Sequence, residues 1–188
     1  MDRPTLALII GGAACVWSDL EKAQEFGPFD AVFAINDMLA HYPGPVDFAV
    51  SLHPENFAQW LGDRAARGFP APQTVIAHKG NTQETRPRRY DVDELIDYRW
   101  PGMEISGSSG LFAVKIAIDK GFDRIILAGV PMDPAQPHFF DAGNWTPADT
   151  FWPMWVSMLG RYGAQTRSMS GRTRALLGNP PESWRNRA

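Results

Sequence analysis

Gly107-Ser108-Ser109-Gly110 precedes a largely apolar stretch, residues 111–120, that reads as a helix closed by Gly121. Small residues, free amide N–H groups, two hydroxyls and the positive end of a helix dipole together suit a phosphate. The same four residues also make an ordinary tight turn with a serine cap. A second glycine pair, Gly11-Gly12, permits close backbone approach to a ligand or simply a strand-to-helix turn. It lacks the three-glycine dinucleotide fingerprint, and no Walker lysine follows any glycine loop, which speaks against NAD and P-loop chemistry. Asn36 offers a donor and an acceptor that could read a base or a ribose, or it caps the turn into Met38.

His138 has the chemistry of a general base near neutral pH, with Asp133, Asp141 and Asp149 as candidates to orient it or to bind a cation. Aspartates of this kind also serve as turn residues, caps and solvated charge. Ser109, Asp133 and His138 occur in the nucleophile-acid-base order of α/β-hydrolases. The elbow fails, because Gly-x-Ser-x-Gly would need glycine where Leu111 stands. His53 and His78 have no HExxH-type spacing, so no dedicated metal site is expected.

These residues need elements to hold them. Residues 5–10, 31–35, 46–52, 74–77 and 125–128 are short apolar runs that read as strands buried on both faces, and 95–100 and 165–169 read as shorter ones. Between them lie helical patterns: one with Ser18 and Glu21 at capping-box spacing, one opened by Pro54 with Phe57, Trp60, Leu61 and Ala65 on a face, and one opened by Thr146 and Pro147. The alternation predicts a three-layer, Rossmann-like α/β domain with a mostly parallel central sheet, spanning residues 1–188. Residues 79–94 read as a surface loop carrying Arg86, Arg88 and Arg89, and the tail from 170 as irregular apart from a short helical stretch at 174–177. In such sheets ligands sit outside the carboxyl ends of the strands, which nominates Gly11, Gly12, Asn36, Asp37, His53, His78, Gly129 and Asp133.

The bulk properties bound the partners. A formal charge of -3 gives no general attraction to nucleic acid, no run has the ~18 apolar residues of a membrane span, and Cys15 alone allows no internal disulfide. A cytoplasmic location is expected. The seven tryptophans fill a core or a subunit interface, and a homo-oligomer remains open.

Residues 108–130, Ser-Ser-Gly-Leu-Phe-Ala-Val-Lys-Ile-Ala-Ile-Asp-Lys-Gly-Phe-Asp-Arg-Ile-Ile-Leu-Ala-Gly-Val, resemble the Ser-Gly turn, helix and Ile-x-Leu-x-Gly strand of bacterial lipooligosaccharide sialyltransferases. Residues 8–12, 32–36 and 48–57 add to the likeness, which extends more distantly to pterin-diphosphokinase-like Rossmann domains. The resemblance implies Gly12 near the donor phosphates, Asn36 on the nucleotide, Ser109 and Gly110 at a cytidine-monophosphate site, and His138 as the base that deprotonates the acceptor. It implies a nucleotide-sugar donor such as a CMP-sugar, an inverting transfer, and no metal. Ala13 and His53 stand where that family has asparagines, Pro131 where it has aspartate, and Asp133 where a leaving-phosphate tyrosine is expected. A carboxylate there repels a departing phosphate unless protonated or bridged by a cation.

The expected function is therefore a glycosyltransferase-like enzyme: Gly11, Gly12, Asn36, Asp37, His53, Ser108, Ser109, Gly110 and Gly129 hold the nucleotide, and His138 and Asp133 act on the reacting groups. One alternative is diphosphate or nucleotidyl transfer with Mg²⁺ held by Asp37 or Asp133. The other is a nucleotide-binding or assembly module without catalysis, whose partner surface is Phe139, Phe140, Trp145, Trp152 and Trp155.

Overall fold

A computed structural model of the chain describes residues 3–79, 92–141 and 143–185. The apolar runs do form strands: β1 (Leu6–Ile10), β2 (Ala31–Ile35), β3 (Phe48–Ser51), β4 (Thr74–His78), β5 (Glu94–Ile96), β6 (Arg124–Ala128) and β7 (Thr166–Ser168). The helices between them are α1 (Val16–Ala23), α2 (Met38–His41), α3 (Phe57–Ala66), α4 (Ser108–Asp119), α5 (Pro147–Ser157), α6 (Leu159–Tyr162) and α7 (Gly171–Leu177). Every pairing is parallel, in the order β5-β4-β3-β2-β1-β6-β7.

Both faces of the sheet are covered, which is why its strands read as unbroken apolar runs. Alternate residues of β1 divide between two cores: Leu6, Leu8 and Ile10 pack with Val16, Leu20, Met38 and Phe57, while Ala7 and Ile9 pack with Leu111, Val114, Trp155 and Tyr162. The result is the expected three-layer, Rossmann-like α/β fold. From β1 the chain builds outward to β5 and then returns to the other side of β1 with β6 and β7. The reversal opens a crevice at the carboxyl ends of β1 and β6.

The structure revises several local expectations. α1 begins at Val16 with no side-chain cap, so Ser18 lies inside the first turn and makes no capping box. Pro54 opens a short 3-10 turn, Pro54–Asn56, and α3 starts only at Phe57. Three of the four residues in the Gly-Ser-Ser-Gly segment belong to the first turn of α4 rather than to a turn before it. Glu94, placed at the end of a loop, opens β5, and the tail from 170 is built into α7 and a 3-10 turn, Glu182–Trp184. That tail is ordered because Leu177 and Trp184 are buried and Arg124 and Arg167 both lie over the Trp184 ring. Most of the predicted loop, with Arg86, Arg88 and Arg89, lies outside the described residues. Among those described, no helix is long and apolar enough to cross a membrane.

Two charged residues are buried for structural reasons. Arg64 donates to the carbonyl oxygens of Leu39, Tyr42, Gly44 and Pro70, locking α3 against the turn after α2. Asp19 accepts from Gly129 N at 2.9 Å and from Ser170 Oγ at 2.5 Å, joining α1 to the end of β6 and to the tail.

Candidate functional site

A crevice of about 520 Å³, counted out to its open mouth, lies at the reversal point of the sheet. Of the sequence-nominated residues it gathers Gly11, Gly12, Asn36, Asp37, Ser108, Ser109, Gly110, Gly129 and His138. His53, His78 and Asp133 are outside its lining. His53 is exposed and sits 3.3 Å from Glu55 Oε1. Asp133 accepts from Ala135 N at 3.0 Å, the Asx-turn use that competed with its catalytic reading, and so brings no carboxylate to the crevice. Among the described residues no group of three His, Cys, Asp or Glu side chains is placed to hold a metal ion.

The floor is backbone against backbone. Gly11 N donates to Ala128 O, and a Cβ on Gly11 would come within 2.6 Å of Gly129 O and 2.7 Å of Val130. Gly129 has φ 68°, and a Cβ there would run into Gly11 O and Val16. These two glycines are required by packing. Gly12 differs: a Cβ on it would point between His138 Nδ1 at 3.1 Å and Asp37 Oδ1 at 3.3 Å.

One wall of the crevice presents hydrogen-bond donors. α4 starts there from Gly107, which has no side chain to cap it; Ser106 Oγ accepts from Ser108 N at 3.0 Å, and no side chain accepts from the next amides, those of Ser109 and Gly110, among the described residues. The Gly107 carbonyl just before it is held by the buried Trp155 indole at 2.7 Å, and Tyr162 in turn donates to Trp155 O. Trp155 is thus a clamp on this turn. Being fully buried, it cannot belong to the partner surface proposed for the aromatic segment. Ser109 Oγ accepts from Leu52 N at 3.2 Å, which leaves its hydroxyl proton to donate. Asn36 lies at φ 54°, a left-handed conformation that asparagine tolerates, and its Oδ1 accepts from Ser51 Oγ at 2.7 Å.

The other wall carries acid-base groups. Ala14 N donates to Pro137 O and Phe139 N to Gly12 O, so residues 137–139 run beside the loop after β1. Phe139 packs against the apolar core on that side, while His138 lines the crevice with its Nδ1 buried and without a hydrogen-bond partner. The imidazole stacks on Phe140 at 5.3 Å and meets Trp145 edge-on at 6.0 Å. Asp37 begins α2 without capping it, and burial raises its pKa, with nearby His138 and His41 pulling the other way. Cys15 lies outside the lining, and burial pushes its thiol up to about 11, so it is no nucleophile at neutral pH.

Sequence reasoning did not assign Val130, Pro131, Met132, Gln136 or Trp145 to the ligand site, yet the loop after β6 folds them onto the crevice. It also missed the backbone strain. Among the described residues, three non-glycine positions have positive φ, namely Asn36, Ser108 at 84° and Met132 at 50°, and all three line this crevice. Asparagine tolerates this conformation, but at Ser108 and Met132 it costs about 1–3 kcal/mol each and persists where the surroundings impose it, commonly at functional sites.

No protein-family model, no curated protein and no solved structure matches this chain at a significant level. The class that fold and site define is a Rossmann-like α/β protein with a strand-end crevice, donors on one wall and His138 and Asp37, unbonded to each other, on the other.

Proposed function

We propose that the crevice binds a nucleotide-sugar and that the protein is a cytoplasmic transferase moving the sugar to an acceptor hydroxyl. The observation that carries this reading is the meeting, in one crevice, of a helix start at Ser109 and Gly110, whose amides no side chain occupies, with a histidine free of any hydrogen bond at Nδ1. Phosphate oxygens suit the amides of α4, the Ser109 hydroxyl and the Asn36 amide. The acceptor oxygen attacks the anomeric carbon as the carbon–oxygen bond to phosphate breaks, its electron pair leaving with the nucleotide. His138 takes the acceptor's proton. The resemblance to lipooligosaccharide sialyltransferases agrees with these roles, and Asp133, turned into its own loop, does not oppose the leaving phosphate.

A second reading draws on Asp37. Asp37 lines the same crevice as the proposed phosphate site and would hold Mg²⁺, which would supply charge neutralisation for diphosphate or nucleotidyl transfer.

Thermal-shift measurements with CMP, UDP, CMP-sugars and UDP-sugars, each with and without Mg²⁺, test both. A ligand at about 100 times its Kd stabilises the fold by about 2.7 kcal/mol. His138→Ala is expected to keep the shift and to lose about a hundredfold or more in turnover. Transfer that survives chelation supports glycosyl transfer. Strict Mg²⁺ dependence supports the second reading, and no shift with any nucleotide sinks both.

A further inference from the structure

Ser51 stands at the end of β3, is fully buried and does not line the crevice. Its Oγ accepts from His53 N at 2.8 Å, and its hydroxyl lies 2.7 Å from Asn36 Oδ1. Only one assignment of the Asn36 amide satisfies every group. With Oδ1 toward Ser51, the hydroxyl donates to Asn36 while its oxygen accepts from His53 N. With the amide turned over, Ser51 would accept twice and its buried hydroxyl proton would have no partner, at a cost of about 1–3 kcal/mol. Asn36 Nδ2 then has no hydrogen bond to any described residue, and Asn36 lines the crevice. The next residue of the same strand end does likewise: Leu52 N occupies an acceptor site on Ser109 Oγ.

We infer that Ser51 is a positioning residue that sets the polarity of the proposed nucleotide site: it holds the Asn36 amide so that the crevice meets N–H donors and no carbonyl. This rests on the crevice being the ligand site. The ligand atom opposite Asn36 is an acceptor, such as a phosphate, sugar or ring-carbonyl oxygen, and a ligand presenting an amine there is rejected because two donors would face each other.

The lock can be read without ligand. The Asn36 side-chain carbonyl carbon, assigned by its loss in Asn36→Asp, should shift upfield in Ser51→Ala, which removes the donor, and stay in place in Ser51→Thr, which keeps it. An unmoved resonance in Ser51→Ala overturns the inference. With CMP as probe, one Asn36 amide proton should move downfield on binding to wild type. Ser51→Ala should bind about tenfold more weakly and Ser51→Thr nearly as wild type. CMP binding that shifts the amides of Ser109 and Gly110 but not Asn36, with Ser51→Ala as tight as wild type, overturns the inference and leaves the crevice reading standing. Wild type that fails to bind CMP or any other nucleotide sinks the crevice reading, while the carbonyl shift still decides whether the lock exists.

Discussion

The floor of the crevice and its histidine wall are both built from glycine, aspartate and neighbouring loops, yet they are held in different ways. At the floor, Gly11 and Gly129 press backbone to backbone, and the buried Asp19 carboxylate ties Gly129 N to Ser170. On the histidine wall, a short bridge between Ala13 and His138 and a stack of rings carry the load. There Gly12 keeps a gap open, and His138 Nδ1 is left unbonded. The floor uses its residues for stability, whereas the wall leaves polar capacity for something else.

Gly129→Ala should break the floor. The new methyl has no room against Gly11 O and Val16, and φ 68° strains any L side chain. The two effects together should cost about 3 kcal/mol or more in chemical denaturation. A variant that unfolds like wild type would show that the strand ends are not packed as described, and the contrast with the wall would go with it.

The sequence carries the floor's elements plainly and its division of labour hardly at all. Buried strands such as residues 6–10 and 125–128 announce themselves as apolar runs, whereas the reversal point comes from their order in the sheet, which order along the chain does not fix. Of the crevice glycines, the Gly11-Gly12 pair is legible as a close-approach position and Gly129 as a strand end. That Gly11 and Gly129 serve packing while Gly12 serves the site depends on which atoms face each Cβ, and those belong to segments far apart in the chain. Met132, Gln136 and Trp145 were illegible for the same reason: the loop's path is set by its pairing with Ala13 and Gly12. Asp133 and His53 look like site residues by type and strand-end position, but both lie outside the crevice lining and each has a local contact instead. Strain at Ser108 and Met132 leaves no trace in residue type, since neither favours positive φ.

Gly12→Ala sharpens the comparison. Gly12 has contacts of 3.1 Å and 3.3 Å waiting for a Cβ, both with polar side-chain atoms that yield by a few tenths of an ångström. Stability should fall by no more than about 1 kcal/mol. Nucleotide binding should weaken about tenfold, because the methyl separates His138 from Asp37 and fills the space between them. A loss of stability equal to that of Gly129→Ala would place Gly12 with the floor.

Asp37→Asn gives the smallest effect and probes the wall's cost to the fold. Burial raises the Asp37 pKa, so in the folded chain Asp37 keeps its proton to a higher pH than in the unfolded chain. Over that interval the native state binds more protons, and its stability falls as pH rises from the ordinary aspartate range up to the raised value. Well below that range both states are protonated and the difference vanishes. Asparagine carries no such penalty, so the melting temperature of Asp37→Asn should exceed that of wild type at neutral pH and match it in acid, while ligand-linked activity declines. A difference in melting temperature that does not change with pH would mean that the Asp37 carboxylate is as well solvated in the crevice as in the unfolded chain. The histidine wall would then hold its charge without any expense to folding.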